Sequence, residues 1–229
     1  MNRFKDYIYT MALVEATGQG GRDYEVVVND KLKKYGKADP DATTAGSSAD
    51  APDARFKHNG EYHNVEIKAD HKAMFGQIEL KHDGEKWDIS PNSKKKYPKT
   101  AEAILATGFL KKVNKQWAKP SGDYDTDLQL GNVYHDHPDA EPIKAHYGQD
   151  RKTNYIQIGK GHGFYHTGSD AANLGSPELE GKTQLRARMK YRGTDAKTGK
   201  KKYGAFIVMS LKDAVKSHHD LDAEPAEGK

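Results

Sequence analysis

The sequence predicts a mixed α/β protein of the α+β type. Apolar residues recur at helical spacing near the N-terminus, in the segment that ends at Tyr35. The strong turn signal Asn59-Gly60 lies between two short strand-like segments. After Asn154, segments rich in β-branched and aromatic residues predict further strands. Helices, a hairpin, another helix and then strands are the order expected of a mixed domain.

Two helices are predicted before the hairpin. Phe4 to Thr17 and Arg22 to Tyr35 each place their apolar residues along one side of a helix. The glycines of Gly18 to Gly21 separate the two helices. Lys37 to Ala51 is rich in Asp, Ala, Ser and Thr and has little apolar content, so it predicts a loop.

Four segments in the middle of the chain carry structural signals. Asp53 to Lys68 predicts a β-hairpin around the turn signal, and Trp87 to Ile89 predicts a short strand. Met74 to Lys81 is apolar and fits either a helix or a strand. Lys99 to Trp117 predicts a single helix, which an internal glycine weakens.

The C-terminal half predicts a loop, four strands and a tail. Ser121 to Gln149 is acidic and contains proline and histidine, which favours a long loop or insertion. From Ala214 onward the chain is polar, which predicts a flexible tail over residues 214–229 and one domain over residues 1–213. The predicted strands are Asn154 to Ile158, Gly163 to His166, Gln184 to Tyr191 and Tyr203 to Leu211.

The composition excludes several classes of protein. The chain has 229 residues, of which 35% are hydrophobic and 31% charged, and no apolar run is long enough for a transmembrane helix. The first residues lead into no apolar signal region, so we expect a cytoplasmic protein with no membrane partner. The absence of cysteine excludes a disulfide scaffold and a thiolate zinc site.

The net charge of +4 hides two basic blocks around an acidic one. Lys81 to Pro120 contains ten lysines against four acids, and Lys182 to Lys202 contains nine Lys or Arg against one acid. Ser121 to Pro142, between them, has six acids and no Lys or Arg. Aromatic residues such as Trp117 and Tyr191 lie in the basic blocks, which is typical of a surface that follows a phosphate backbone. Ordinary solvated charge produces the same pattern.

The most informative segment is the predicted hairpin. Asp53 begins its first strand, and Glu66 lies two residues before Lys68 on the second, so Glu66 and Lys68 point to one face. The hairpin returns Asp53 to that polar face, where two carboxylates and an ammonium would converge. Hard oxygen ligands of this kind suit Mg²⁺, and a neighbouring lysine can orient water or stabilise developing charge. This set suits hydrolysis of a phosphodiester.

The tripeptide Asp/Glu-x-Lys alone is weak evidence for a site. It occurs seven times in this highly charged chain. Only Glu66-Ile67-Lys68 combines alternating apolar residues, an upstream Pro-Asp and an intervening hairpin turn. Glu79-Leu80-Lys81 is the next best match, but it lacks the hairpin.

Pro52-Asp53, followed thirteen residues later by Glu66-Ile67-Lys68, resembles the PD-(D/E)XK nuclease superfamily of restriction endonucleases and junction resolvases. The resemblance covers roughly Gly21 to Leu80. It implies a restriction-endonuclease-like mixed central sheet flanked by helices, with the later strands as additions. It also implies cleavage of DNA that depends on Mg²⁺, with Mn²⁺ as a substitute.

The resemblance also assigns roles to individual residues. Asp53, Glu66 and the backbone carbonyl of Ile67 would be metal ligands, and Lys68 would be the catalytic lysine. Many members carry a Glu on the helix before the hairpin, which Glu25 matches and which would support the metal; Glu15 is an alternative. Many also carry a Gln after the motif, which Gln77 matches and which would orient the metal or the substrate.

The resemblance and the basic blocks together imply double-stranded DNA as the partner. Symmetric cleavage of both strands would favour a homodimer. The cations expected to hold the nucleic acid are Lys94, Lys95, Lys96, Lys160, Arg186, Arg188, Lys190 and Arg192.

Several alternatives remain open from the sequence. Within the superfamily, a site-specific enzyme of restriction or homing type competes with a structure-specific nuclease, such as a Holliday junction resolvase, or an exonuclease. A non-catalytic nucleic-acid-binding protein could use the same basic segments, and the motif could be a coincidence in another hydrolase or a structural protein. His135-Asp136-His137 with Asp139 resembles a transition-metal site but is better explained as solvated loop. Gly159 to Gly163 lacks the complete phosphate-loop pattern.

Overall fold

The computed structural model describes residues 19–34 and 51–220. The predicted helix over Phe4 to Thr17, which contains Glu15, and nearly all of the predicted loop from Lys37 lie outside these residues, as does the chain from residue 221 onward. The described part contains both helices and strands, so the α+β class is confirmed. Its elements are α1 (Gln19–Lys34), β1 (Ala54–His58), β2 (Glu61–Lys68), β3 (Gln77–His82), β4 (Trp87–Ile89), α2 (Pro91–Lys96), α3 (Pro98–Ala106), α4 (Phe109–Gln116), α5 (Tyr124–Leu128), β5 (Val133–His137), α6 (Glu141–Lys144), β6 (Tyr155–Ile158), β7 (Gly163–His166), β8 (Lys182–Thr194) and β9 (Lys201–Lys212).

The chain divides into two compact units. The first comprises the described parts of Met1–Ala73, Lys152–Leu179 and Ala214–Lys229, and the second comprises Met74–Arg151 and Glu180–Asp213. Each unit has its own sheet, so the described strands form two sheets. A single domain over residues 1–213 stays a prediction.

The first unit is built on the predicted hairpin. Its sheet has the order β1-β2-β6-β7, with β1 antiparallel and β6 parallel to β2. Asn59 and Gly60 both have positive φ, 49° and 88°, as the tight turn between β1 and β2 requires. The hairpin prediction is therefore confirmed.

Helix α1 covers one face of this sheet. Val65 and Ile67 on β2 belong to the same buried apolar cluster as Val28 and Leu32 of the helix. Alternation along β2 therefore places Val65 and Ile67 in the core, as predicted, and directs Glu66 to the opposite face. The helix predicted from Arg22 is confirmed, but it starts at Gln19, so Gly20 and Gly21 lie inside the helix and not in a break before it.

The second unit is an antiparallel sheet with helices. Its strand order is β4-β3-β9-β8-β5, and every neighbouring pair in it is antiparallel. The ambiguous segment Met74 to Lys81 forms strand β3, while Trp87 to Ile89 forms the predicted short strand.

Two predictions in the second unit are wrong. The single helix over Lys99 to Trp117 is instead α3 and α4, because Gly108 between them has a φ of 71°, which a continuing right-handed helix does not allow. The segment Ser121 to Gln149 is not a loop. It contains α5, β5 and α6, followed by a π-helical turn over Ala145–Asp150. Its buried residues, such as Ile143 and Tyr147, are too sparse in the sequence to give a visible period.

The start of the predicted tail is part of the first unit. The Ser217 N–H donates to the His162 carbonyl at 2.7 Å, and the Phe164 N–H donates to the His219 carbonyl at 2.6 Å. Flexibility of the tail stays a prediction. Within the described residues, no helix combines the length and the apolar character needed to cross a membrane.

Candidate nuclease site

The hairpin brings Asp53 to the middle of the predicted motif. The ladder between β1 and β2 ends at the pair Ala54 and Val65, so β2 continues beyond the end of β1. In this extension the Ile67 N–H donates to Oδ2 of Asp53 at 2.8 Å. The Asp53 carboxylate thus takes the place of the backbone carbonyl that would accept this hydrogen bond if the ladder continued. The hydrogen bond fixes Asp53 against the Glu66-Ile67-Lys68 segment.

Glu66 and Lys68 form an ion pair on the other face of β2. Lys68 Nζ lies 2.5 Å from Glu66 Oε1. The two side chains are 16% and 5% exposed for Lys68 and Glu66 respectively. A buried carboxylate without a cation is costly, so the lysine stabilises the charge on Glu66. The side chains point to one face, as the sequence predicts from their spacing.

Glu25 of α1 lies within electrostatic range of the same groups. Burial, together with the negative charges of Asp53 and Glu66, raises the pKa of Glu25 to about 7 against the opposing effect of Lys68 and Arg22. The pKa of this carboxyl therefore reports that three acids and one lysine share a small region. This is the grouping that the sequence predicts.

Asn29, which sequence reasoning missed, joins the helix to the Asp53 turn. Its side-chain amide donates to the Glu25 carbonyl at 2.9 Å and to the Asp53 carbonyl at 3.2 Å. Asn29 is 7% exposed, and a buried amide of this kind is retained where its hydrogen bonds hold two elements together. The local sequence offers no signal for it, because its second partner lies 24 positions away.

Gln157 is a second residue that sequence reasoning missed. It is fully buried on β6, directly paired with Ile67 of β2. Its amide donates to the Tyr24 hydroxyl at 3.0 Å and to Oδ1 of Asp220 at 2.6 Å. The parallel pairing of β2 with β6 creates this proximity across the long stretch of chain between them.

The Gly-rich segment after β6 forms the tight turn between β6 and β7. A Cβ on Gly159 would lie 2.7 Å from the Ala69 carbonyl oxygen and 2.8 Å from the ring of Tyr24. Glycine therefore lets this turn approach the end of β2 closely. Lys160, a predicted DNA contact, lies in the turn and pairs with Asp70 at 2.9 Å.

Gln77 lies in the second unit. At the start of β3, its Oε1 accepts a hydrogen bond from Lys190 Nζ at 3.1 Å. The structure thus groups Asp53, Glu66, Lys68 and Glu25 in the first unit and pairs Gln77 with a predicted DNA-binding lysine. A catalytic role for Gln77 stays a prediction.

The predicted cations of β8 form a row. Arg186, Arg188 and Lys190 alternate with the buried residues of the strand, so they share one face of the sheet. Burial lowers the pKa of Arg188, and Arg186 lowers it further. Burial and the flanking Arg188 and Arg192 likewise lower the pKa of Lys190. Cations that destabilise one another in this way are suited to binding an anion.

The three lysines of α2 that are predicted to contact DNA are less clustered than the cations of β8. Lys94 Nζ pairs with Asp88 Oδ2 at 2.6 Å, and Lys96 lies over the ring of Tyr97 at 5.3 Å. Lys95 is exposed. At least two of the three lysines therefore make local contacts with which a phosphate would have to compete.

The residues His135, Asp136 and His137 lie on strand β5 rather than in a loop. The alternation of the strand separates Asp136, which binds Gln184 at 2.9 Å, from the two histidines. His137 pairs with Asp139 at 3.1 Å. Among residues 19–34 and 51–220, no group of three or more His, Asp or Glu side chains is arranged to hold a metal ion.

The donor set at the hairpin therefore consists of two carboxylates and a backbone carbonyl. Glu25, Asp53 and Glu66 do not form a three-carboxylate cage of that kind. In an extended strand, the N–H and the carbonyl of one residue face the same edge. The Ile67 carbonyl consequently faces the edge at which Asp53 binds the Ile67 N–H. Carboxylate and carbonyl oxygens are the donors that Mg²⁺ accepts, and Mg²⁺ keeps several waters beside a few protein ligands.

Comparison with models of known protein families, with curated protein sequences and with solved structures finds no match for this chain.

Proposed function

We propose that the chain is a Mg²⁺-dependent DNA endonuclease with a restriction-endonuclease-like first unit. The observation that carries this proposal is the 2.8 Å hydrogen bond from the Ile67 N–H to Asp53, which joins the Pro-Asp turn to Glu66-Ile67-Lys68. A plain surface hairpin needs neither a carboxylate at the end of its ladder nor a buried Glu beside it. The preceding helix with Glu25 and the parallel strand beside β2 support the same reading.

Asp53, Glu66 and the Ile67 carbonyl would hold the cation. Bound there, Mg²⁺ would lower the pKa of a water and neutralise charge on the phosphate. The hydrogen bond from the Ile67 N–H holds the Asp53 carboxylate against the motif. Glu25 would support the metal, and the positive charge of a bound cation would favour ionisation of its carboxyl, whose pKa is raised to about 7.

Lys68 has two tasks in this proposal. In the absence of a cation, its ammonium stabilises the carboxylate of Glu66. When Glu66 binds a cation instead, the Nζ group becomes available to orient a water or to stabilise the developing negative charge. Lysine suits this exchange because its compact charge sits on a flexible stem.

The cations of β8 and α2, with Lys160, would contact the phosphates of double-stranded DNA, and Gln77 would orient the substrate. A site-specific enzyme, a structure-specific nuclease or resolvase, and an exonuclease differ in the DNA they cut, which the incubation below compares. A homodimer is the simplest way to cut both strands symmetrically.

One observation favours a second candidate, a nucleic-acid-binding protein without catalytic activity. Glu66 is already paired with Lys68 at 2.5 Å, and among the described side chains no group of three carboxylates is arranged to hold a metal ion. A protein that only binds DNA has no use for a cation at the hairpin. The two candidates differ in whether they cut.

The test is incubation with supercoiled, linear and branched DNA in Mg²⁺ or in EDTA. We expect wild-type protein to cut in Mg²⁺ only, and Asp53→Asn to lose the activity because it removes a charged donor. Glu61→Gln, which changes an exposed acid on the second strand of the same hairpin, is the matched control and should cut normally. Discrete fragments would indicate site specificity, and loss of branched DNA alone would indicate a resolvase.

Two outcomes would contradict the proposal. Cutting that survives Asp53→Asn would show that the catalytic site does not lie at the hairpin. Absence of cutting on every substrate, with salt-sensitive binding retained, would favour the non-catalytic candidate.

A further inference from the structure

The two longest strands, β8 and β9, extend beyond the rest of their sheet. Strand β5 pairs with β8 only from Thr183 to Ala187, and β3 pairs with β9 only from Ala205 to Val208. Beyond these pairs, β8 and β9 continue together to the pair Thr194 and Lys201. This part of the hairpin is a two-stranded ribbon, and no other described strand pairs with either of its edges.

The base of this ribbon is anchored on both faces. The ring of Tyr124 on α5 lies 5.7 Å from that of Tyr191 and 5.6 Å from that of Tyr203. On the other face, Arg192 lies 4.8 Å over the ring of Phe206 and 3.8 Å from Glu79. We call the chain beyond this anchor, Gly193 to Lys202, the ribbon tip.

The ribbon tip is internally ordered. The Asp195 N–H donates to the Lys200 carbonyl at 2.8 Å, and the Gly199 N–H donates to the Asp195 carbonyl at 2.9 Å. The Asp195 carboxylate accepts from the N–H groups of Lys197 and Thr198 at 3.0 Å and 2.9 Å. A turn that is already ordered loses little conformational entropy when it binds a partner.

The ribbon tip is strongly basic. It carries four lysines, Lys197, Lys200, Lys201 and Lys202, against the single acid Asp195. All four lysines are exposed. Lys202 pairs with Asp195 at 3.0 Å and Lys201 with Asp125 at 2.6 Å. Exposed pairs of this kind contribute little, so a phosphate can displace them.

The reach of the ribbon tip matches the dimensions of the major groove of B-form DNA. From Gly193 to the turn, three or four residues of extended chain reach about 10–13 Å. The major groove of B-form DNA is about 12 Å wide and 8.5 Å deep, and it admits a two-stranded ribbon. The major groove of an RNA duplex is too narrow for side chains to read.

We propose that the ribbon tip enters the major groove of double-stranded DNA, with its lysines on the phosphates at the groove's edges. This rests on the proposed function only in taking DNA as the partner. It assigns to the tip a contact separate from the β8 cation row and from the hairpin carboxylates. The substrate it selects is therefore the B-form duplex, not double-stranded RNA or a single strand.

The test measures binding without catalysis, by fluorescence anisotropy of a labelled 20-base-pair duplex in EDTA. The variant Lys197→Ala/Lys200→Ala changes two exposed side chains of the tip. We expect its dissociation constant to rise roughly tenfold or more in 0.1 M salt, and its salt slope to become less negative by about two units. The control Lys33→Ala/Lys57→Ala removes the same charge from exposed positions outside the ribbon and outside both basic blocks, and it should bind as wild type.

The groove is tested with the wild-type protein and modified nucleic acids. A duplex whose cytosines carry glucosylated 5-hydroxymethyl groups, which fill the major groove, should bind at least tenfold more weakly. The minor-groove ligand netropsin should have no effect, and an RNA duplex of the same sequence should bind weakly. Equal binding of the RNA duplex or the glucosylated duplex would overturn the proposal, as would a tip variant that binds like its control.

The result is separable from that of the proposed function. If the protein never cuts DNA but the tip variant and the glucosylated duplex both lose binding, the nuclease proposal fails and this one stands. If the protein cuts DNA and the tip variant binds normally, the nuclease proposal stands and the proposal for the ribbon tip fails. Unchanged thermal unfolding of the tip variant, followed by circular dichroism, verifies that it folds.

Discussion

The substitution Glu25→Gln should stabilise the protein at alkaline pH. Burial and the charges of Asp53 and Glu66 raise the pKa of Glu25 from 4.5 to about 7, so the folded state favours the protonated carboxyl. In the unfolded chain the carboxyl ionises near pH 4.5. Its contribution to stability is therefore fully present below that pH and is lost as the pH rises through about 7. Glutamine mimics the protonated form at every pH.

The magnitude follows from the pKa shift. Each unit of pKa difference corresponds to about 1.4 kcal/mol, which sets an upper limit of about 3.4 kcal/mol for the ionisation cost at pH 8. Glu25 is partly exposed, and solvent screens its charge, so we expect about 1–2 kcal/mol.

The assay is urea unfolding of wild type and Glu25→Gln in EDTA, at pH 8 and at pH 4.5. The free energy of unfolding of the variant should exceed that of wild type by about 1–2 kcal/mol at pH 8. The difference should vanish near pH 4.5. Glu61→Gln, on an exposed carboxyl, should change little at either pH. A Glu25→Gln variant no more stable than wild type at pH 8 would refute the grouping of Glu25 with the hairpin carboxylates.

Three further substitutions test the first unit by urea unfolding. Gly159→Ala should lower the free energy of unfolding by about 1–3 kcal/mol, because its Cβ would lie 2.7 Å from a backbone oxygen. Gly168→Ala, whose Cβ would have nothing within 4 Å, should lower it far less. Equal losses of stability would contradict the close approach at Gly159. Lys68→Met should cost about 3 kcal/mol by leaving the Glu66 carboxylate without its cation, and Mg²⁺ should recover part of the loss; an unchanged stability would contradict the buried pair. Val65→Ala should cost about 2 kcal/mol from a fully buried position, and a negligible change would contradict the packing of the sheet on α1.

The hairpin and its first-unit core were predictable because their signals are local. The Asn59-Gly60 turn fixes the register between β1 and β2, and alternation along β2 then decides which side chains enter the core. Once the register is set, the position of Asp53 beside the Glu66-Ile67-Lys68 segment follows. The candidate site was therefore accessible from the sequence alone.

The residues that support this site were not predictable, because long-range pairing creates their contacts. Gln157 meets Ile67 only through the parallel pairing of β6 with β2, and Asn29 reaches the Asp53 carbonyl from a helix. A buried amide has no sequence pattern of its own. Tertiary burial also explains why Ser121 to Gln149 folds into short elements that composition alone makes look like a loop.

The break between α3 and α4 illustrates a different limit. Gly108 is visible in the sequence, but an isolated glycine costs an otherwise regular helix only about 1 kcal/mol. Here the chain uses the positive φ of Gly108 to end one helix and begin the next. Whether a helix tolerates or breaks at such a glycine depends on what each half packs against.

The central claim is that Glu66, the buried acid of the hairpin, binds a cation that is used to cut DNA. The most direct measurement is the rate at which Glu66→Gln nicks supercoiled plasmid in Mg²⁺, beside Glu61→Gln on the same strand. Both variants remove one negative charge from β2, but only Glu66 is buried. We predict that Glu66→Gln loses at least about a hundredfold in rate, equivalent to about 2.7 kcal/mol, while Glu61→Gln cuts as wild type. Equal rates for the two variants would contradict the claim.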